Sequence, residues 1–147
     1  FGTESDEERA EYVAAFEFIL DVLSRLHDRG VMLLPGTDLG GGIAYHRELE
    51  LFEKIGLTPA EVLRRASFDM AVYLDQDEDL GSIEKGKYAD FFLVPGDPTQ
   101  DLNQLRQIRM VVSDGVVYFP TEIYPWFGIR PFSEAPEVIV PDQASSD

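Results

Sequence analysis

Apolar residues at Val13, Phe16, Ile19, Leu20, Leu23 and Leu26 recur every three or four positions, the spacing that gathers them on one stripe of a helix. Ser5 followed by Glu8 has the pattern of a capping box, in which each side chain satisfies a backbone amide left without a partner at the helix start. Gly30 supplies the stop, so the pattern predicts a long amphipathic helix over 6–29. The next apolar run, Val31-Met32-Leu33-Leu34, does not alternate with polar residues, which suits a strand covered on both faces in a parallel sheet. It ends abruptly at Pro35-Gly36-Thr37-Asp38, and the glycines at 40 to 42 follow. Tyr45 to Ile55 has helical character and closes at Gly56. Thr58-Pro59-Ala60-Glu61 repeats the capping signature with proline at the first helical position, predicting a helix over 59–66.

From residue 80 onward the period shortens to that of strands. Glu84-Lys85-Gly86-Lys87 reads as a turn, and Phe91 to Val94 as an apolar strand bounded by Pro95-Gly96. Ile108–Val112 and Val116–Phe119 flank Ser113-Asp114-Gly115; Asp-Gly favours the tight turn whose twist matches that of the strands, so a hairpin is expected there. Beyond Pro120 come four more prolines and the polar end Gln143-Ala144-Ser145-Ser146-Asp147, with no sustained period. The last dozen residues are expected to be irregular. There is no internal repeat and no low-complexity block.

Charge and composition narrow the functional classes. Twelve Lys and Arg stand against 28 Asp and Glu, a formal charge of -16. The field of such a surface repels phosphate backbones and anionic lipid heads, which argues against nucleic acid and membrane surfaces as partners. With no cysteine there is no disulfide, thiol nucleophile or thiolate metal site, leaving carboxylates and two histidines, His27 and His46, as metal donors. No apolar stretch approaches the roughly 20 residues a spanning helix requires. The first residues, FGTESDEERAEYV, lack a Met start, a basic region and an apolar core of a signal peptide, so a start inside a larger reading frame is expected. Cytoplasmic and periplasmic or secreted locations both remain open.

A polar residue at the end of a buried parallel strand draws attention because the loops at the C-terminal ends of barrel strands build active sites. Asp38 stands at such a place. Pro35-Gly36 restricts the backbone before it and the glycines after it allow a sharp turn, which would leave the carboxylate facing open space. The competing reading is that Asp38 caps the next helix or closes a turn, a common duty for Asp in a Gly-rich loop.

Several stretches, in order, resemble the closing segment of the amidohydrolase superfamily: Gly30-Val31 with Leu33-Leu34-Pro35-Gly36-Thr37-Asp38; His46-Arg47-Glu48-Leu49-Glu50; Ile55-Gly56-Leu57-Thr58-Pro59-Ala60-Glu61-Val62-Leu63; Leu80-Gly81-Ser82-Ile83; Gly86-Lys87-Tyr88-Ala89-Asp90; and Asp114-Gly115-Val116-Val117-Tyr118. Imidazolonepropionase-like and prolidase-like members are nearest in style, and the resemblance spans about residues 20 to 130. It implies an α/β fold, the C-terminal part of a (β/α)8 TIM-type barrel with strand eight at 31–34 and flanking helices, followed by strands of a small β-sandwich domain. The implied divisions are 1–78 for the barrel part, 79–120 for the sandwich strands and 121–147 for a partly irregular extension.

The resemblance also implies a divalent metal, zinc foremost, as one or two ions held mostly by residues outside this chain. In the family the Asp ending strand eight binds the metal and takes the proton of the attacking water, so Asp38 inherits both the metal-ligand and the catalytic role by position. The family's remaining ligands lie earlier in the barrel and none is present here. Two isolated histidines cannot replace them, because three or four donors must converge at about 2.0 to 2.2 Å. The chain alone is therefore expected to be metal-poor and inactive, and to need the missing N-terminal portion of the same protein. The substrate would be a small molecule or peptide with an amide, peptide or cyclic amide C–N bond. The alternative is a non-catalytic truncated or complementing subunit completed by a partner. Either way, unpaired strand edges and an uncovered helix face would favour aggregation or a homo-oligomer.

His46, shortly after Asp38, is expected either to contact substrate or to serve a structural, capping duty. His27 at a helix end would complement the helix dipole. Glu48, Glu50 and Glu53 read as a solvated face, Lys87 and Asp90 as structural residues closing a turn and entering a buried strand, and Trp126 and Phe127 as packing residues. Asp75 and Ser67 depart from the family's usual Gly and Thr, which blurs the subfamily and hence the substrate.

Overall fold

The computed structural model describes residues 5–38 and 42–139. Helix α1, Asp6–Asp28, begins with the expected capping box: Glu8 N donates to Ser5 Oγ at 3.2 Å and Ser5 N donates to Glu8 Oε2 at 2.8 Å. Helix α2 spans Gly42–Lys54 and α3 Pro59–Ala66, the latter with a second capping box between Thr58 and Glu61. A short α4, Phe68–Tyr73, follows directly. Leu49, Phe52, Ile55, Leu57 and Val62 from this helical part are buried together with Leu102 and Leu105. Those last two residues come from a 3-10 turn, Leu102–Gln107, so the core joins segments well separated in sequence.

Strand β1, Phe91–Leu93, pairs antiparallel with β2, Met110–Ser113, which pairs antiparallel with β3, Val116–Tyr118. The β2–β3 hairpin turns at Asp114 and Gly115, with φ of 49° and 73°, the left-handed pair that a two-residue turn of this hand requires. Asp114 N donates to Asp90 Oδ1 at 2.9 Å, which ties the entrance of β1 to the turn. The loop before β1 is closed by Lys87, whose Nζ donates to Asp77 O at 2.5 Å and to Ser82 Oγ at 2.7 Å. Beyond β3 the chain is not wholly irregular: α5 spans Pro120–Ile123 and a 3-10 turn Tyr124–Phe127. Ser133 and Arg109 then bind the extension back, through Ser133 Oγ donating to Gln107 O at 3.1 Å and Arg109 Nε donating to Glu134 O at 2.8 Å. The expected irregular tail is unstructured over 136–139, and the rest of it lies outside the described residues, as do glycines 40 and 41.

Three expectations change. Among the described residues, 31–34 has no regular secondary structure and no ladder partners, and the sheet present is antiparallel. A strand exists by its bonds to neighbouring strands, and among the described residues none pairs with this segment. Strand β1, expected to be buried, leaves Phe92 and Leu93 exposed; as successive strand residues they lie on opposite faces of a sheet of only three strands. Trp126 and Phe127 are also exposed, Trp126 at 88% of its surface, since they sit on a short turn that no described element covers.

Candidate functional site

The segment that carries Asp38 runs from a buried residue to an exposed one. Pro35 is fully buried, Thr37 is partly buried, and Asp38 lies exposed in a bend. Between them the Gly36 amide donates to Glu48 Oε1 at 2.7 Å. This bond spans from that segment to α2, whose Leu49 and Phe52 are in the core. Glu48 is thus a tether and not the solvated side chain its place in the pattern suggested. Glu50 also departs from that reading: it pairs with Arg47 at 2.8 Å and with Arg106, and these hydrogen bonds, Arg106 first, hold its carboxyl below the usual range. Asp38 stands four positions before Gly42, where α2 begins among the described residues, and the capping reading of Asp38 falls on residues outside them.

His46 lies on α2, half-buried, at the wall of a cavity of about 750 Å³ together with Tyr45, Leu49, Leu63, Met70 and Phe91. Burial lowers its pKa first and the Arg106 charge lowers it further, while Glu50 opposes them; the neutral imidazole is favoured. Tyr45 beside it is pushed up by burial and then by the Glu48 charge. A second cavity of about 340 Å³ lies between α1, residues 32–34 and α2, with Glu48 in its wall. Asp38 lines neither cavity, so the structure does not bring the two residues singled out by sequence, Asp38 and His46, into one pocket.

His27 fits its expected place in the last turn of α1, where its ring lies against Gly56. Among the described residues no three His, Asp or Glu side chains converge to hold a metal ion. A catalytic site of this type needs about three converging protein donors with one position left for water, and the described residues do not supply that set by themselves. What the segment offers is a single exposed carboxylate on a short, tethered loop.

Residues 17–118 match the Amidohydrolase family, and the chain belongs to that family. Among solved structures it is similar to a Xaa-Pro dipeptidase crystallised with methionine in the active site, at 29% identity and a TM-score of 0.64 over 69% of this chain. It is likewise similar to a protein from Bifidobacterium longum assigned as a prolidase, at 31% identity and a TM-score of 0.60 over 79% of this chain. The chain spans 25% of the first of those structures and 26% of the second, about a quarter of each. No curated protein sequence matches it. Of the two groups named from sequence, the imidazolonepropionase-like and the prolidase-like, these structures represent the prolidase-like one.

Proposed function

We propose that this chain is the C-terminal part of a metal-dependent amidohydrolase that cleaves amide, peptide or cyclic amide C–N bonds. The observation that carries the reading is the family match across 17–118, which contains Asp38 at the end of the apolar 31–34 segment. In this reading residues 31–34 gain their ladder as the last strand of a (β/α)8 barrel once the preceding portion of the protein lies beside them. Residues 1–78 then belong to the barrel, 79–120 contribute sandwich strands and 121–147 form the extension. A divalent cation, zinc foremost, one ion or two, held chiefly by that preceding portion, would supply a bound water whose pKa lies near neutrality. Asp38 would give one carboxylate to that site and take up the proton the water releases, then hand it to the leaving nitrogen. His46 is assigned a substrate contact from its order after Asp38. Because the similar structures include a Xaa-Pro dipeptidase and an assigned prolidase, Xaa-Pro dipeptides are the first substrates to test.

The test compares this chain alone with the protein that includes its preceding portion. Metal content by elemental analysis and hydrolysis of a Met-Pro dipeptide and of simple amides are measured on both. We expect metal and hydrolysis in the longer protein and neither in the chain alone. A longer protein without metal or hydrolysis of any of these bonds would favour the alternative, a non-catalytic complementing subunit.

A further inference from the structure

We propose that Glu48 is a positioning residue that fixes the loop carrying Asp38, an inference that rests on the role of Asp38 proposed above. Residues 31–37 have no ladder among the described residues, and Asp38 itself is exposed. Two residues before Asp38, however, the Gly36 amide donates to Glu48 Oε1 at 2.7 Å, and Pro35 before it is fully buried. A charge-assisted bond to a carboxylate is stronger than one to a neutral acceptor.

The other end of the tether is a helix anchored in the core. Leu49, the next residue along, is 4% exposed in the core, and Phe52 is buried one turn further on. Glu50 fastens the same turn to Arg47 within α2 and to Arg106 in the 3-10 turn at 102–107. The Glu48 side chain therefore links the backbone at position 36 to a helix that is packed in the core. At a site where the reacting carboxylate must be held within about half an ångström of its working position, such support matters for turnover. Glu48 touches no reacting atom in this scheme; its effect on catalysis runs through the placement of Asp38.

The experiment uses the complete protein, with Glu48→Ala, Glu48→Gln and Asp38→Asn variants, each checked for an unchanged melting profile. Hydrolysis of a Met-Pro dipeptide is measured as kcat and KM separately, and exchange of the Gly36 amide is followed by hydrogen–deuterium exchange. Glu48→Ala is expected to lower kcat about 10- to 100-fold, the usual range for loss of a residue that orients a ligand, with KM changed less than about threefold. Glu48→Gln keeps an acceptor oxygen and should recover most of that loss. The Gly36 amide should exchange at least about tenfold faster in Glu48→Ala than in the parent, and close to the parent rate in Glu48→Gln.

Unchanged kcat in Glu48→Ala with Asp38→Asn inactive would overturn the role of Glu48 and leave that of Asp38 standing. An active Asp38→Asn variant would overturn both. If Glu48→Ala fails to fold, Glu48→Gln and Glu48→Asp carry the test: parental exchange at Gly36 in Glu48→Asp, which shortens the reach, would overturn the tether whether or not the dipeptide is hydrolysed.

Discussion

Helices α1 and α2 carry apolar stripes of the same kind, yet only one of them is covered. Leu49 and Phe52 of α2 are buried beside Ile55, Val62, Leu102 and Leu105. Helix α1 has no buried residue at all, and Val13 and Ile19 expose 50% and 54% of their surface. Only its later residues, Leu20 and Leu23, pack against the core. Helical spacing tells which face is apolar; it does not tell what lies over that face. Where the cover comes from inside the chain, as the 3-10 turn at 102–107 does for α2, side chains such as Leu49 and Phe52 are buried. For α1 the proposed cover is the portion of the protein that precedes this chain.

The sharpest way to break this contrast is to remove a side chain from each stripe. Ile55→Ala, at a residue 2% exposed, should destabilise the chain by about 2–5 kcal/mol in urea unfolding, since it leaves a cavity in the covered core. A loss below about 1 kcal/mol would mean the core is far looser than its burial suggests. Gly81→Ala should cost about 1–3 kcal/mol by the same measurement: Gly81 has φ +85°, and a Cβ there would lie 2.7 Å from that of Ala71 and 3.0 Å from Cα of Phe68. That substitution tests whether the loop before β1 is packed on α4 as tightly as the core beneath it.

A smaller effect should appear with pH. His46 has a lowered pKa in the folded chain, so between that value and the ordinary 6.5 the unfolded chain binds more protons. Its stabilising contribution is complete above the ordinary value and is lost as pH falls through the folded one. Stability should therefore decline from pH 7.5 toward 5.5, and His46→Gln should flatten that slope; an unaltered slope would remove His46 from the buried wall of its cavity. The smallest change is expected on the uncovered stripe. Val13→Gln should alter unfolding of the chain by less than about 0.5 kcal/mol while reducing self-association in sedimentation. In the complete protein the same substitution should become clearly destabilising, which would sharpen the contrast between the helices.

What could be read from sequence were the features whose physics is local. The capping boxes at Ser5 and Thr58 and the Asp114-Gly115 turn depend on residues within three positions of one another, and all three stand where the pattern puts them. The 3-10 turn at 102–107, whose Leu102 and Leu105 complete the core, drew no reading from the sequence. Features that depend on distant partners were hidden. Glu48 looks like any exposed helical Glu until Gly36, twelve residues earlier, is seen to donate to it. Likewise the 31–34 run has strand composition, but its ladder requires neighbours that no local pattern can provide.

The central claim is that the carboxylate at position 38 serves metal-assisted hydrolysis. Asp38→Asn in the complete protein, an isosteric change at an exposed residue, tests it most directly by turnover of a Met-Pro dipeptide alongside urea unfolding. The account predicts a loss of turnover of at least about a thousandfold, on the order of 4 kcal/mol of barrier, with stability changed by less than about 0.5 kcal/mol. Turnover within about threefold of the parent, from an equally stable variant, would contradict it.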